Sequence, residues 1–329
     1  MTAAPPLYLT EADVAALAGV DDAIAALEDC FGAPDGDVET LPRQRAALPC
    51  GAFNLMGAVH RSHGVFGLKA YLGRSAGGPY HVLLYSATEA RLVALIEADL
   101  LSQMRTGAAS GLATRLMARP DAAVLAVIGT GKQAFWQAAA VAVVRSLKEI
   151  RVFGRDRGRR DAFAREVEER LGVATVAAES AEACVRGADV VVTITKASEP
   201  VCLSDWVADG AHVNAAGANS ADRREVDAAL IRRASLLATD DLPQARIEAA
   251  EFRDLIARGE LDWSQVRSLS ELMRHPPRRN HAGISLFKSL GVAIEDVAFA
   301  EVIVSRARTA GRGRSLERGV AAEMSGEAG

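Results

Sequence analysis

Ala123-Val124-Leu125-Ala126-Val127-Ile128-Gly129-Thr130-Gly131-Lys132-Gln133-Ala134 decides the fold. A short apolar run drops straight into a glycine-rich turn, and an alanine-rich segment follows. The run has the pattern of a strand buried on both faces, while Gly129 and Gly131 allow a tight turn and close approach of backbone to a ligand. A helix over Lys132 to Val144 would aim its unpaired N–H groups and positive dipole end at whatever lies over the glycines, a position that suits a pyrophosphate. With Ala134 in the last place, the stretch matches the G-x-G-x-x-G/A dinucleotide fingerprint. Taken alone, it also fits a plain tight turn.

The surrounding sequence favours the nucleotide reading. Ile150-Arg151-Val152-Phe153 forms a second candidate strand about twenty residues on, the spacing of one βαβ unit. A helical charge pattern runs from Asp161 to Leu171. Further strand-like runs lie at Val173 to Ala177, Ala188 to Thr195, Ala211 to Gly217 and Ala234 to Thr239. Strands alternating with helical segments over residues 120 to 240 predict a doubly wound α/β parallel sheet.

A chain of 329 residues, half of them hydrophobic, has enough apolar surface for two domains. A net charge of −4 gives no reason to expect a nucleic-acid or anionic-membrane partner. No run suggests a bilayer span, and Met1-Thr2-Ala3-Ala4-Pro5-Pro6 lacks the basic start of a leader, so a cytoplasmic protein is expected. Cys30, Cys50, Cys184 and Cys202 match no zinc or redox spacing and read as small apolar residues; no metal is expected.

Ahead of the nucleotide region, helices are expected from Thr10 to Gly32. Short strands follow at Glu39 to Pro49, Ala52 to Val59, Phe66 to Leu72 and Val82 to Tyr85, with Gly77-Gly78-Pro79 as a turn, so an antiparallel sheet is predicted. It carries conspicuous cations. Arg43 and Arg45 share one face of a strand, and Lys69 lies inside the apolar run Val65 to Tyr71. Arg105 precedes the small residues Thr106-Gly107-Ala108-Ala109-Ser110, as at a helix start that must pack closely. Each cation alone fits a solvated position. Two or three converging on one cleft would bind a carboxylate, arginine in bidentate fashion.

Five motifs stand in order along the chain: Leu68-Lys69, Met104 to Ser110, Ile128 to Ala134, Asn214-Ala215-Ala216-Gly217-Ala218-Asn219, and Ser285 to Asp296. Together they resemble the ornithine cyclodeaminase and mu-crystallin family over about residues 10 to 310. The resemblance implies a Rossmann domain inserted into an α+β dimerisation and substrate domain, a homodimer, a nicotinamide cofactor, and a small amino- or imino-acid substrate. The expected borders are 1–118 plus 281–329 for the substrate domain and 119–280 for the NAD(P)-binding domain. His275-Pro276-Pro277 is a loop near the second border. The tail from Gly311 to Gly329 is expected to be loosely held.

Carried over by that resemblance, Arg45, Lys69 and Arg105 take the substrate carboxylate and polar-site roles, with Arg43 the other candidate for the first. Thr106, Gly129, Thr130, Gly131, Gln133, Thr195 and the turn from Asn214 to Gly217 resemble cofactor contacts, with Ser289 and Leu290 near the nicotinamide. The rest of Ser285 to Ala300 reads as a packed helix start. Two positions depart from the cyclodeaminases: Asn219 replaces a proton-exchanging aspartate, and Arg223 replaces a lysine. An amide does not titrate near neutral pH, so the pattern resembles the family's imine-reducing and amino-acid-dehydrogenase branch. His81 is a proton donor or a strand histidine.

The expected reaction is NAD(P)H-dependent reduction of an imine that carries an α-carboxylate. The alternatives are ornithine cyclodeamination and binding without turnover. After Phe153, the order Gly154-Arg155-Asp156 puts Arg155 where NAD enzymes place an acid, which favours NADPH, while Asp156 keeps NADH open.

Overall fold

A computed structural model describes residues 4–73, 78–277 and 282–316. Gly77, the expected border residues Asn280 and His281, and the tail beyond Leu316 lie outside the described residues.

The chain opens with β1 (Leu7–Leu9), α1 (Glu11–Leu17) and α2 (Val20–Gly32). β2 (Val38–Leu48), β3 (Gly51–His60), β4 (Val65–Gly73), β5 (Tyr80–Ser86) and β6 (Arg91–Glu97) follow, then the long helix α3 (Asp99–Met117). The nucleotide region holds β7 (Val124–Ile128), α4 (Ala134–Val144), β8 (Glu149–Phe153), α5 (Arg157–Leu171), β9 (Thr175–Ala177), α6 (Ala181–Val185), β10 (Val190–Thr193) and β11 (His212–Ala215). Next come α7 (Ala228–Arg233), β12 (Ala234–Thr239), α8 (Leu242–Glu248), α9 (Ala250–Ala257), β13 (Val266–Ser268) and α10 (Leu269–Arg274). β14 (Ile284–Lys288), α11 (Ala293–Ala310) and β15 (Arg314–Ser315) end the described chain.

Two sheets result. The front one runs β15-β1-β6-β5-β4-β3-β2, antiparallel from β6 to β2, and the other runs β13-β12-β14-β11-β10-β7-β8-β9 with all strands parallel. Within the parallel sheet the direction of winding reverses between β7 and β10, which opens the crevice where doubly wound folds bind ligands.

The expected strands from residue 123 to 239 are all present. Two expectations change. β14 lies between β12 and β11, so the chain leaves the parallel sheet only after Lys288 rather than at 281. Its five residues are all buried, and their side chains are covered on both faces as in other parallel strands; the apolar Ile284, Leu286 and Phe287 belong to a strand, with α11 starting only at Ala293. Arg105 is not at a helix start either, since α3 begins six residues earlier at Asp99.

The small residues after Arg105 do serve close packing. A Cβ on Gly107 would stand 2.3 Å from the Trp136 carbonyl oxygen, and one on Gly111 3.0 Å from that of Ala140. Helix α3 therefore lies directly on α4, the helix that follows the glycine loop. A buried ladder fastens α3 to the sheet as well: His212 Nε2 meets Asn214 Oδ1, and Asn214 donates to Thr114 Oγ1. Burial pulls the His212 imidazole down to about 3, so it stays neutral. Asn214, expected beside the cofactor, is a core strand residue.

Candidate active site

Five strands end in register at one edge, Phe153 beside Ile128, Ile128 beside Thr193, Thr193 beside Ala215, and Ala215 beside Lys288. The expected cofactor residues follow these ends. Gly129 adopts φ +123°, and a Cβ there would meet the Ile194 carbonyl oxygen at 2.3 Å, so only glycine lets the loop press against the end of β10. Thr130 rests on Gly154, where an added Cβ would lie 2.8 Å from its side chain. Gly131 faces open space, and α4 begins after Gln133 with no side-chain cap. An open glycine face beside uncapped helix N–H groups fits a dinucleotide pyrophosphate. Arg155 is exposed beyond β8, while the neighbouring Asp156 carboxylate caps α5 by accepting from the Arg159 N–H at 2.8 Å.

Other expected contacts are held by the protein itself. Thr106 Oγ1 donates to the Ser102 carbonyl, and Ser289 Oγ to Asp240 Oδ2. Thr195 and Gly217 are tied by a residue the sequence reading did not assign, Glu225. Its Oε1 accepts from Thr195 N at 2.6 Å and Oγ1 at 2.8 Å, and its Oε2 from the N–H groups of Gly217 and Ala218 at 2.6 and 3.1 Å. One fully buried carboxylate thus clamps the loops after β10 and β11. Arg223, expected as a cofactor contact, sits partly exposed in the following loop, where its charge and that of Arg45 both act on Asp222.

The front-sheet cations reach this edge. Lys69 Nζ donates to Asp296 Oδ1 at 2.9 Å, and Arg105 Nε reaches the same oxygen at 3.0 Å. Arg105 Nη1 also holds Glu295 at 2.6 Å. The guanidinium lies against Gly291, where a Cβ would fall 2.4 Å from Nη1 and where φ is +69°. Asp240 fixes that turn by accepting from the N–H groups of Leu290 and Gly291. Tyr71 and Tyr80 stack beside Lys69, each ring centre 5.4 Å from Nζ. Burial, and next the Arg105 charge, pull the Lys69 ammonium down to about 7 against the attraction of Asp296.

The two arginines of β2 part company. Arg43 is buried, its Nη1 held by Glu248 and its Nη2 by the Leu290 and Gly291 carbonyls. Arg45 keeps 35% of its side chain exposed, is oriented by Asn54 Oδ1 at 3.1 Å, contacts Glu248 at 2.5 Å and donates to the Asn219 main-chain carbonyl at 2.8 Å. Arg45, rather than Arg43, has donors to offer a ligand. His81 pairs with Ala70, next to Lys69 along β4, so it faces the opposite side of the sheet and is a strand histidine.

The residues missed were the acids: Glu225, Asp240, Glu248, Glu251, Glu295 and Asp296, all buried. The available signal was carboxylates in apolar helix sequence, as in Ala249-Ala250-Glu251-Phe252 and Ala293-Ile294-Glu295-Asp296-Val297.

Truncation of the Glu225 clamp leaves three backbone N–H groups without their acceptor. At about 1–3 kcal/mol for each unsatisfied buried group, Glu225→Ala is expected to cost at least about 3 kcal/mol in urea unfolding. A loss under about 1 kcal/mol would show that water replaces the carboxylate and that the clamp does not hold the loops.

Comparison with known proteins identifies the family and the fold. The sequence pattern of the ornithine cyclodeaminase/mu-crystallin family matches residues 6–311. Ketimine reductase mu-crystallin of Mus musculus is 33% identical over 222 residues, 68% of this chain and 67% of that one. The structure of Thermococcus litoralis Δ1-pyrroline-2-carboxylate reductase with NADH and L-proline superposes with a TM-score of 0.90 at 27% identity, covering 94% of this chain and 100% of that one. An archaeal alanine dehydrogenase dimer with bound NAD gives 0.89 at 28% identity, covering 95% and 99%. With a match that spans nearly its whole length, the chain belongs to the ornithine cyclodeaminase/mu-crystallin family.

Proposed function

We propose that the protein is an NAD(P)H-dependent reductase that converts a small imine bearing an α-carboxylate into the amino acid, with Arg45, Lys69, Arg105 and Asn219 forming its substrate site. The observation that carries this reading is the buried Lys69, held near neutrality between Arg105 and Asp296 at the edge where the dinucleotide loop ends. The relatives named for ketimine and pyrroline-carboxylate reduction support it.

Arg105 and Arg45 pair with the substrate carboxylate, and fixing it there removes much of the orientational cost of reaction. When bound, the nicotinamide supplies hydride to the imine carbon. Lys69 gives its proton to the imine nitrogen, and Asn219 hydrogen-bonds that nitrogen without titrating. Proton exchange with a substrate amine, which ornithine cyclisation needs, has no titrating group at position 219. A cyclodeaminase reading therefore stands second and would be recognised by ammonia and proline from ornithine without added reductant.

The second element of the proposal is a homodimer. Leu41, Phe53, Leu55 and Phe66 are 56, 40, 37 and 37% exposed, and their register puts them on the face of the front sheet opposite Lys69 and its α11 partner Asp296, a cluster of the kind that marks association surfaces. A second copy of the same face covers it. The third is a preference for NADPH, supported by exposed Arg155 beside an Asp156 already spent on capping. No helix among the described residues is long and apolar enough to cross a membrane.

Against a panel of 2-oxo acids with amines and cyclic imines, cofactor oxidation is expected, and Lys69→Met should lower the rate about 10²- to 10⁴-fold while retaining cofactor binding. Because the donor must carry its proton, the reductive rate should fall as pH rises through about 7, a limb absent from the variant. Undiminished reduction by Lys69→Met removes Lys69 from the chemistry. In Trp-fluorescence titrations NADPH should bind more tightly than NADH, and Arg155→Ala should cost NADPH alone about tenfold or more, the worth of one charge-assisted bond; a strong NADH preference overturns the cofactor assignment. Light scattering should give twice the chain mass for the native protein and one chain mass for Leu55→Asp, whereas a native monomer would refute the dimer.

A further inference from the structure

A second cluster of ligating side chains lies far from this seam. Asp29 comes from α2, His60 ends β3 and His63 sits in the turn before β4, and one ligand atom from each falls within 4.8 Å of the others. Four residues of strand separate His60 from Met56, the register partner of Lys69, about 13 Å at the usual rise. We propose that Asp29, His60 and His63 bind a transition-metal ion, with zinc the best match to the donor set.

The hydrogen bonding leaves a place for an ion. His60 is 1% exposed, and its Nδ1 has no partner among the described residues, although buried polar atoms are ordinarily paired. Its other nitrogen, Nε2, faces Asp37 Oδ2 at 3.4 Å. A proton on Nε2 directed at that carboxylate leaves the Nδ1 lone pair free to ligate, the carboxylate–histidine–metal arrangement.

His63 presents a complementary problem. Its Nε2 lies 2.9 Å from Asp29 Oδ2 and its Nδ1 2.7 Å from Glu301 Oε2. Two carboxylates facing one imidazole call for positive charge between them, either a second ring proton or a bound cation. A cation at His63 Nε2 and Asp29 supplies it by coordination, while Nδ1–H donates to Glu301. The two rings are stacked at 3.9 Å with 12° between planes, and since each nitrogen ligates in the plane of its own ring, binding one ion requires the exposed His63 ring to turn out of the stack. Two imidazoles and one carboxylate, with water in the fourth place, form a ligand set that zinc accepts. A surface groove of about 660 Å³, lined by His63, Glu301 and Arg308, gives the ion a path in. The bound ion would join α2 to the end of β3, with Glu301 of α11 behind it.

The test uses the full chain after chelator treatment, titrated with Zn²⁺ by calorimetry and followed by thermal unfolding. One ion per chain and a rise in Tm are expected. Asp29→Asn and His63→Ala, both at exposed positions where the fold tolerates change, should each abolish saturable binding and the Tm rise. Glu301→Gln should weaken binding about 10- to 100-fold. Absence of saturable 1:1 binding, binding unchanged in His63→Ala, or equal stabilisation by Mg²⁺ would each overturn the site. The cluster lies apart from Lys69 and Arg105, so none of these readouts depends on the reaction assigned above.

Discussion

One carboxylate oxygen, Asp296 Oδ1, receives both the Lys69 ammonium and the Arg105 guanidinium, and none of the three side chains is more than 6% exposed. Such an arrangement is expensive to build, because each ion gives up its hydration, and removing one partner of a buried pair costs about 3–5 kcal/mol. It survives because the surroundings leave the groups nowhere else to go. Gly291 keeps clear the volume the guanidinium fills, Asp240 pins Gly291 by its N–H, and Glu295 takes a second guanidinium nitrogen. Burial pushes the Glu295 carboxyl up to about 8, while burial's opposition to the Arg105 charge is outweighed by Asp296 and Glu295, which raise it.

The same logic joins the two sheets. Arg43, on β2, binds Glu248 of α8 and the carbonyls of the turn between β14 and α11. Lys288 at the end of β14 binds Glu251 of α9, whose same oxygen accepts the Glu225 N–H, and Glu225 clamps the loops after β10 and β11. A chain of paired charges therefore runs from the antiparallel sheet to the floor of the dinucleotide edge. Helix α3 closes the circuit from the other side: Arg105 faces the ion cluster, and two residues on Gly107 admits the Trp136 carbonyl of α4. Cofactor loop and substrate cations are held at a set spacing by packing on one helix and ion pairs on another.

What could be read in the sequence follows from the range of the forces involved. Strands buried on both faces carry continuous apolar runs, so β7 and β10 were legible, while β8 showed through its alternation and β11 and β12 through short apolar stretches ahead of a turn. β14 was not, because Ser285 and Lys288 break its apolar run and the SLG turn and helix follow directly. Lys69 was legible as a charge within an apolar strand. Its partner was not, since Asp296 lies 227 positions away, as Glu248 lies 205 from Arg43, and no local pattern reports such pairings. The choice between Arg43 and Arg45 turned on the same blind spot: both share a strand face, and only distant acceptors make one of them structural.

Unequal abilities to titrate within the cluster explain why the lysine is the residue that moves a proton on the proposed reading. Arg105 stays charged at any physiological pH, so it cannot release one. It also disfavours a second positive charge nearby, which with burial brings Lys69 down to about 7. An arriving substrate carboxylate adds negative charge beside both cations and shifts the balance back, raising the affinity of Lys69 for its proton. The group is thus loaded with its proton when substrate binds, and the substrate nitrogen, the more basic partner once its carbon is reduced, takes that proton. Asn219 fits the same scheme by omission: a titrating acid there would compete for the proton, whereas an amide leaves Lys69 as the donor.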